Sequence, residues 1–367
     1  MNRLSILTII LVFSMLKVVA DNPHLFSTSK CLDLLCSFQY YDKIKSNPQF
    51  MDLQNDSSFV KAIDSINSRT RASKLCNAYV KYGTDLNDVD SCIFFMENIV
   101  SLVPKSEQQT EWIRNIIEIH EELCYVTKRL IQNGYCEYWD SIVNPSLQQQ
   151  IDIYYSTIPD GLLDAIHSEL KDFAEPEILS KLHSKTYIVD IDNAFNLDDE
   201  SFCCTPFLLD PELEKKYHLD FIKVYIHENL HRLDISQELM SHLNNLLQDD
   251  FYSENEKIAA EHNEGQNEAF VVAAEVFLSN KLGRRSSLDV YNEFLEYVDG
   301  SLVLAPIIYI HLPERTNTET FNSFLIRLFN EDKIKSGSVK AEYDKAMRQL
   351  KESSIQPMSN ALKLISK

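Results

Sequence analysis

Residues 221–234 read FIKVYIHENLHRLD, and this stretch decides which fold and which chemistry the chain is expected to have. Drawn as a helix, it is apolar over much of its circumference, which is typical of a helix buried in a core. His227 and His231 are four residues apart, so they lie one turn apart on the same helical face. Both imidazoles can then reach one metal ion. The stretch therefore predicts a buried helix that presents two metal ligands.

Glu228 completes the pattern HExxH. A carboxylate that follows the first histidine can take a proton from a water bound to zinc, whose acidity the metal increases. We therefore predict Zn²⁺ as cofactor, with His227 and His231 as ligands and Glu228 as general base. The competing interpretation is a surface helix with two unrelated histidines, and the apolar circumference argues against it.

A catalytic zinc ion needs a third protein ligand and one open position. Residues 267–278 read NEAFVVAAEVFL, which predicts a helix that is apolar nearly all round. Glu268 and Glu275 are seven residues apart and share its one polar stripe. Buried carboxylates need a partner, and a zinc ion is a suitable one. Spacing does not choose between the two glutamates, and it also allows a stripe that faces solvent.

The two segments together resemble the zincin metallopeptidases of the gluzincin type. HENLHRLD is similar to the HExxHxxD form of anthrax lethal factor and its relatives, and Glu268-Ala269-Phe270 resembles the segment that carries their third zinc ligand. The resemblance implies Glu268 as the ligand, with Glu275 beside the site or as the alternative ligand. It also implies a zincin-like α+β domain with a small sheet. The likeness covers about 60 of the 367 residues.

Several residues differ from the sequence patterns of related subclasses and limit which subclass the chain resembles. Asp234 and Gln237 stand where the metzincin subclass requires glycine and a histidine or aspartate, so that subclass is rejected. Val271 and Val272 replace the alanine and the acid that usually follow the third-ligand segment. The chain has no Gly-x-Met-Glu-Asn segment of the aminopeptidases, which favours an endopeptidase.

Two supporting roles stay open. Asp234 can brace a ligand imidazole, because zinc-bound histidines usually donate their second N–H to an oxygen, or it can pair with Arg232. An oxyanion needs a hydrogen-bond donor in the transition state. The side chains of suitable type are Tyr252, His262, Tyr291, Tyr309 and His311.

Residues 1–20 have the three parts of a secretory signal peptide. Arg3 gives the positive start, residues 4–16 form an apolar run too short to cross a bilayer, and Val18 and Ala20 precede a cleavage point. An uncleaved anchor is the less favoured alternative. We expect a secreted, extracellular protein without a membrane span after cleavage, and the loss of Arg3 and Lys17 makes its formal charge −22 instead of −20.

Composition and cysteine content agree with an exported helical protein. Only 7 glycines and 44% hydrophobic residues predict a mainly α protein with a real core, and the acidic charge counts against a nucleic-acid partner. All 8 cysteines follow residue 20 and none has CxxC spacing, so we expect disulfides, although their connectivity cannot be deduced. The sequon at Asn55 is a glycan acceptor in a eukaryotic host.

Three domains are predicted, namely the signal peptide at 1–20, a helical N-terminal domain at 21–180 and the zincin-like domain at 181–367. Helices are expected at 57–72, 89–102 and 107–132 in the second domain, and at 221–233, 237–247, 267–282 and 288–297 in the third. Strands are expected at 186–191 and 202–209.

The leading functional hypothesis is a secreted zinc metalloendopeptidase that hydrolyses protein or peptide substrates with a zinc-bound water activated by Glu228. The alternative is a non-catalytic secreted helical binding protein that keeps the zincin fold in degenerate form. A third hypothesis is a zymogen whose activity rises after proteolysis near 175–190. A Glu268 or Glu275 carboxylate within a few ångströms of the histidines would favour the first over the second. The sequence leaves the oligomeric state open.

Overall fold

The structure is a computed structural model. It describes residues 25–39, 41–182, 185–191, 194–197, 201–204, 221–233, 235–262 and 264–355. The predicted signal peptide at 1–20 and the side chain of Asp234 lie outside the described residues. In the ranges just given, none of the helices is both long and apolar enough to cross a lipid bilayer.

The fold is mainly α with one small four-stranded sheet, as the composition predicts. The chain divides into two compact units. Unit 1 contains Met1–Pro159 and His183–Asp210, and unit 2 contains Asp160–Leu182 and Pro211–Lys367. One of the three points where the chain changes unit lies two residues from the predicted boundary between 180 and 181.

Unit 1 is built mostly of short helices. Its α-helices are α1 (Lys30–Cys36), α2 (Tyr41–Lys45), α3 (Met51–Gln54), α4 (Ser57–Arg69), α5 (Ala72–Tyr82), α6 (Val89–Leu102), α7 (Glu111–Glu118), α8 (His120–Gln132), α9 (Tyr135–Tyr138) and α10 (Asn144–Thr157). Asp56 caps α4 by accepting hydrogen bonds from the backbone N–H groups of Ser58 and Phe59. Such a cap satisfies donors that the first turn of a helix leaves without partners. The predicted helices at 57–72 and 89–102 are thus present as α4 and α6.

The long helix predicted at 107–132 is two helices, α7 and α8, that meet at Ile119. Ile119 has φ −107° and ψ 15°, outside the helical region. The Nδ1 atom of His120 donates a hydrogen bond to the carbonyl of Ile117 at 2.8 Å. A side chain that bonds a backbone carbonyl at such short range competes with the helical ladder. The apolar period continues across the break, so the pattern alone does not reveal it.

The sheet contains β1 (Phe26–Ser27), β2 (Lys185–Ile188), β3 (Ala194–Asn196) and β4 (Ser201–Cys204), in the order β1-β2-β4-β3. Strands β1, β2 and β4 are parallel, and β3 runs antiparallel to β4. Strand β4 is buried along its whole length, which is typical of an inner strand covered on both faces. The strand predicted at 186–191 is present as β2, which ends at Ile188, and the strand predicted at 202–209 is present as β4 up to Cys204, while residues 205–209 lie outside the described residues. Contacts group this sheet with unit 1, whereas the predicted division placed it in the C-terminal domain.

No disulfide joins any two of the eight cysteines, all of which lie in described ranges. The Sγ atoms of Cys36 and Cys76 are 3.7 Å apart, beyond the length of an S–S bond of about 2.05 Å. All eight cysteines are therefore free thiols in the structure, whereas the sequence predicts disulfides for an exported protein.

Unit 2 is helical throughout its described part. Its α-helices are α11 (Leu162–Phe173), α12 (Phe221–Leu230), α13 (Gln237–Leu246), α14 (Asp250–Glu261), α15 (Glu268–Lys281), α16 (Ser287–Glu296), α17 (Leu304–His311), α18 (Phe321–Asn330) and α19 (Val339–Ile355). Helix α15 packs against both α12 and α17 and is buried over nearly all of its surface. The four helices predicted for this part of the chain correspond to α12, α13, α15 and α16.

Candidate metal centre

Two packed helices bring together the three side chains that the sequence proposes as metal ligands. Helix α12 supplies His227, and His231 directly follows its last residue and keeps a helical backbone hydrogen bond to His227. Helix α15 supplies Glu268 from its first turn. The Nε2 atom of His227 lies 3.3 Å from Oε1 of Glu268, and Nε2 of His231 lies 3.3 Å from Oε2. The two Nε2 atoms are 3.0 Å apart. Three donor atoms from two helices therefore converge on one point.

The donor set fits a metal ion. The two imidazole nitrogens and the carboxylate oxygen all lie within 4.8 Å of one another, and the side chain of Glu268 is only 3% exposed. Two neutral nitrogens and one carboxylate form the His₂Glu set that some catalytic zinc sites use, with a fourth position left for water or substrate. This buried His-His-Glu group could hold a metal ion.

Glu268 also governs the protonation of both histidines in the metal-free chain. Burial lowers the pKa of His227 to about 3, although the Glu268 carboxylate opposes the shift. Burial has the same tendency at His231, but the hydrogen bond and the charge of Glu268 outweigh it and raise the pKa of His231. Burial would raise the pKa of Glu268, but both histidines lower it overall. Near neutral pH His227 is therefore unprotonated, as a metal ligand must be.

Glu228 lies beside this group and is buried as well. Burial raises the pKa of Glu228 to about 7, with His231 and Arg232 opposing the shift and Glu268 adding to it. A bound cation would lower this pKa, because positive charge favours the carboxylate. A carboxyl group whose pKa lies near the working pH can both accept and return a proton.

Glu264 adds a third carboxyl group to the electrostatics of the site. Burial is the main cause that raises its pKa to about 7, and the charge of Glu268 raises it further. The charge of His231 acts in the opposite direction. Carboxyl groups whose charges repel one another are stabilised by a shared cation. The charges around His231 therefore favour metal binding as the geometry does.

Tyr297 is a neighbour of the site that the sequence did not indicate. Its hydroxyl donates a hydrogen bond to Oε1 of Glu268 at 3.2 Å, and the Nζ atom of Lys223 lies 5.3 Å from the centre of its ring. The turn after it holds Val298 and Asp299 at φ 51° and 55°. The left-handed region is unfavourable for a β-branched residue, so this turn is strained. Tyr297 thus contacts Glu268 from the start of a turn whose backbone conformation the sequence does not predict.

Glu275, the alternative ligand, has a different set of partners. It accepts hydrogen bonds from Ser279 at 2.9 Å and from Arg285 at 3.2 Å. Arg285 also pairs with Glu293 at 2.9 Å, and Glu293 pairs with Lys223 of α12 at 2.6 Å. We call these four charged residues the buried ion-pair network. Glu268 and Glu275 are 3% and 0% exposed, so their shared stripe does not face solvent.

The five side chains considered for oxyanion stabilisation have neighbours elsewhere in unit 2. His262 and His311 pair with Asp299 and Glu314, Tyr309 packs against Phe277 and Phe294, and Tyr252 and Tyr291 lie near Glu256 and Tyr343. These contacts do not single out one of the five, and that role stays a prediction.

An apolar pocket lies among α11, α12, α13, α15 and α18. Its walls include residues that are next to the ligands in the chain, Leu230 before His231 and Asn267 before Glu268. The other apolar side chains that line it are Phe173, Leu233, Ile235, Leu239, Phe270, Val271, Phe321 and Leu325. An apolar cavity with a few polar groups at its edge is the usual form of a ligand site.

No family model matches this chain, and no curated protein or solved structure is similar to it at a significant level. The site is therefore defined by its own residues. It is a His-His-Glu group on two packed helices, with a buried glutamate immediately after the first histidine.

Proposed function

We propose that this protein is a zinc-dependent endopeptidase and that Glu228 is its general base. The observation that carries the proposal is the convergence of His227, His231 and Glu268, with Glu228 buried on α12 directly after the first histidine. Two imidazoles and one carboxylate suit zinc among the common biological cations, because magnesium and calcium prefer oxygen ligands alone. The segment's resemblance to zincins supports the same conclusion.

The chain's own residues divide the work of hydrolysis among them. His227, His231 and Glu268 hold the ion, which when bound would polarise a substrate carbonyl and acidify water. Glu228 takes the proton from the attacking water and returns it to the leaving amine nitrogen. Its burial keeps bulk water away from this transfer, and its pKa of about 7 in the metal-free chain suits a group that must do both.

Two further observations bear on the substrate. The residues that line the pocket beside α12 and α15 are mostly apolar, so we expect apolar side chains of a peptide substrate to bind near it. The endopeptidase preference comes from the sequence, which lacks the aminopeptidase Gly-x-Met-Glu-Asn segment. Secretion, protein or peptide substrates and the zincin relationship belong to the same proposal.

The alternative, a non-catalytic secreted binding protein, predicts that the third-ligand helix has lost its role. In such a protein neither glutamate of α15 would need to lie near the histidines. The 3.3 Å distances between Glu268 and both histidines support the enzyme over the binding protein.

Replacing Glu228 with glutamine tests the general base. Glu228→Gln keeps the size of the side chain but cannot accept a proton, so we expect cleavage of a peptide library to fall by about 100-fold or more with zinc content unchanged. The matched control is Glu261→Gln, at the exposed end of α14, which should keep the full rate. If Glu228→Gln cleaves the library as fast as the wild type, the proposed mechanism is wrong.

A further inference from the structure

Helix α1 carries two cysteines that meet cysteines of two other helices. Cys31 and Cys36 are 0% and 1% exposed, and α1 packs against both α5 and α6. The Sγ atoms of Cys36 and of Cys76 on α5 are 3.7 Å apart, and Cys31 lies close enough to Cys92 on α6 to raise the pKa of the Cys92 thiol. A separation of 3.7 Å places the sulfur atoms of Cys36 and Cys76 within reach of a covalent bond.

We propose that Cys36 and Cys76 form a disulfide that fixes helix α1 to helix α5. An S–S bond is about 2.05 Å long, so the sulfur atoms must approach by less than 2 Å from their present separation. Rotation of either side chain, with a small shift of two helices already in contact, supplies this distance. The bond would close a loop between residues 40 positions apart in the chain.

Burial decides when the bond can form. Both thiols are shielded from solvent in the folded unit, at 1% and 0% exposure. Their mutual contact and burial raise the pKa of Cys36, and burial raises that of Cys76. Thiolates, not thiols, attack disulfides, so the folded pair reacts slowly in either direction. The bond therefore forms while α1 is still accessible during folding, and it resists reductants once α1 is packed.

The oxidant must be a second disulfide, either a small-molecule disulfide or that of a thiol oxidoreductase. The thiolate of one cysteine attacks the donor disulfide, forms a mixed disulfide and releases one donor thiol. The thiolate of the other cysteine then attacks the sulfur of its partner and releases the second donor thiol. Two electrons pass from the cysteines to the donor, and their two protons end on the donor thiols.

Other cysteines near this pair define the competing results. Cys203 on β4 lies close enough to Cys76 to influence its pKa, which makes it the alternative partner. Cys31 is held by the backbone carbonyl of Asp88, with a sulfur-to-oxygen distance of 3.3 Å. Cys124 and Cys136 are only partly buried and serve as internal controls for alkylation.

Peptide mapping of the wild-type chain tests the pairing directly. The full chain is refolded in a buffer of reduced and oxidised glutathione, unfolded, alkylated without reduction and digested. We expect one cross-linked peptide that contains Cys36 and Cys76 and disappears after treatment with dithiothreitol. A peptide that joins Cys76 to Cys203, or complete alkylation of both Cys36 and Cys76, would overturn the proposal.

Melting temperatures of variants test whether the bond supports the fold. Cys36→Ala, Cys76→Ala and the double variant should each lower the melting temperature of the oxidised protein by the same amount, about 5 to 15 °C. Cys124→Ala, the control, should leave it nearly unchanged. When the same proteins are unfolded, reduced and refolded in dithiothreitol, so that the reductant reaches the otherwise buried bond, the gap between wild type and variants should largely close. Equal gaps with and without the reductant would contradict a covalent link.

Discussion

At the scale of single residues, three side chains contact the two carboxylate oxygens of Glu268. His227 and His231 approach at 3.3 Å each, and the hydroxyl of Tyr297 donates to Oε1 at 3.2 Å. Because the carboxylate is buried, each of these contacts acts in a medium that screens charge weakly. The orientation of Glu268 thus depends on Tyr297 as well as on the histidines.

Replacement of Tyr297 with phenylalanine should weaken metal binding. The change removes one hydroxyl and its hydrogen bond to Glu268, and loss of such a supporting partner typically reduces metal affinity by about 10- to 100-fold. Competition titration with a chromophoric zinc chelator measures this affinity. Tyr309→Phe is the matched control, because Tyr309 packs against phenylalanine rings instead. Equal affinities in both variants would show that Tyr297 does not orient Glu268.

Metal affinity should fall as the solution becomes acidic. In the metal-free chain Glu268 raises the pKa of His231 despite burial, so this imidazole takes up a proton at a higher pH than an ordinary histidine does. That proton must leave when the metal binds. Below the raised pKa of His231 the apparent affinity should therefore fall by up to about tenfold per pH unit, and above it the affinity should level off. Competition titrations across this range provide the measurement.

A variant of Glu268 checks the cause of that pH dependence. Glu268→Gln removes the negative charge that raises the pKa of His231, so the fall in affinity should begin at a lower pH and from a weaker starting value. If the onset stays at the same pH, Glu268 does not control the protonation of His231.

At the scale of elements, the buried ion-pair network connects α12, α15 and α16. Lys223 on α12 lies 2.6 Å from Glu293 on α16, and Arg285, in the loop before α16, bridges Glu293 and Glu275. All four are buried. Removal of one partner from such a group leaves a charge without compensation in the core, which costs more than the pair itself contributes.

Replacement of Glu293 with glutamine should destabilise unit 2. The change removes the carboxylate that pairs with both Lys223 and Arg285, and breaking a buried pair typically costs about 3 to 5 kcal/mol. Urea unfolding followed by circular dichroism measures the free energy of unfolding. Glu296→Gln, on the exposed side of the same helix, should change it by less than about 0.5 kcal/mol. A loss in Glu293→Gln no larger than this would mean that the network does not hold the helices.

The predictability of these elements follows from their patterns. Helices α12 and α15 were predictable because nearly continuous apolar sequence is interrupted by polar residues at helical spacing. The choice between Glu268 and Glu275 was not, because both occupy one stripe and only tertiary packing brings Arg285 to the second. The contact of Tyr297 with Glu268 was not predictable, because the turn after Tyr297 holds Val298 in a left-handed conformation that is unfavourable for a β-branched side chain.

At the scale of the whole molecule, each of the two compact units is formed by two separate stretches of the chain. Residues 160–182 join unit 2 and residues 183–210 return to unit 1. Strand β2 pairs with β1 near the start of the described chain, at Phe26 and Thr186. A pairing between such distant segments leaves no local signal, so the sequence predicts β2 and β4 but neither β1 nor the place of the sheet in unit 1.

The proposed metal centre requires that one chain bind one metal ion through His227, His231 and Glu268. Elemental analysis of the purified chain, saturated with zinc and then dialysed, measures this stoichiometry. We predict about one zinc per chain for the wild type and close to none for His231→Ala. The control His242→Ala should also keep about one zinc, because the His242 ring stacks on Phe329 and is not a ligand. A wild type without zinc, or a His231→Ala variant that keeps it, would contradict the account.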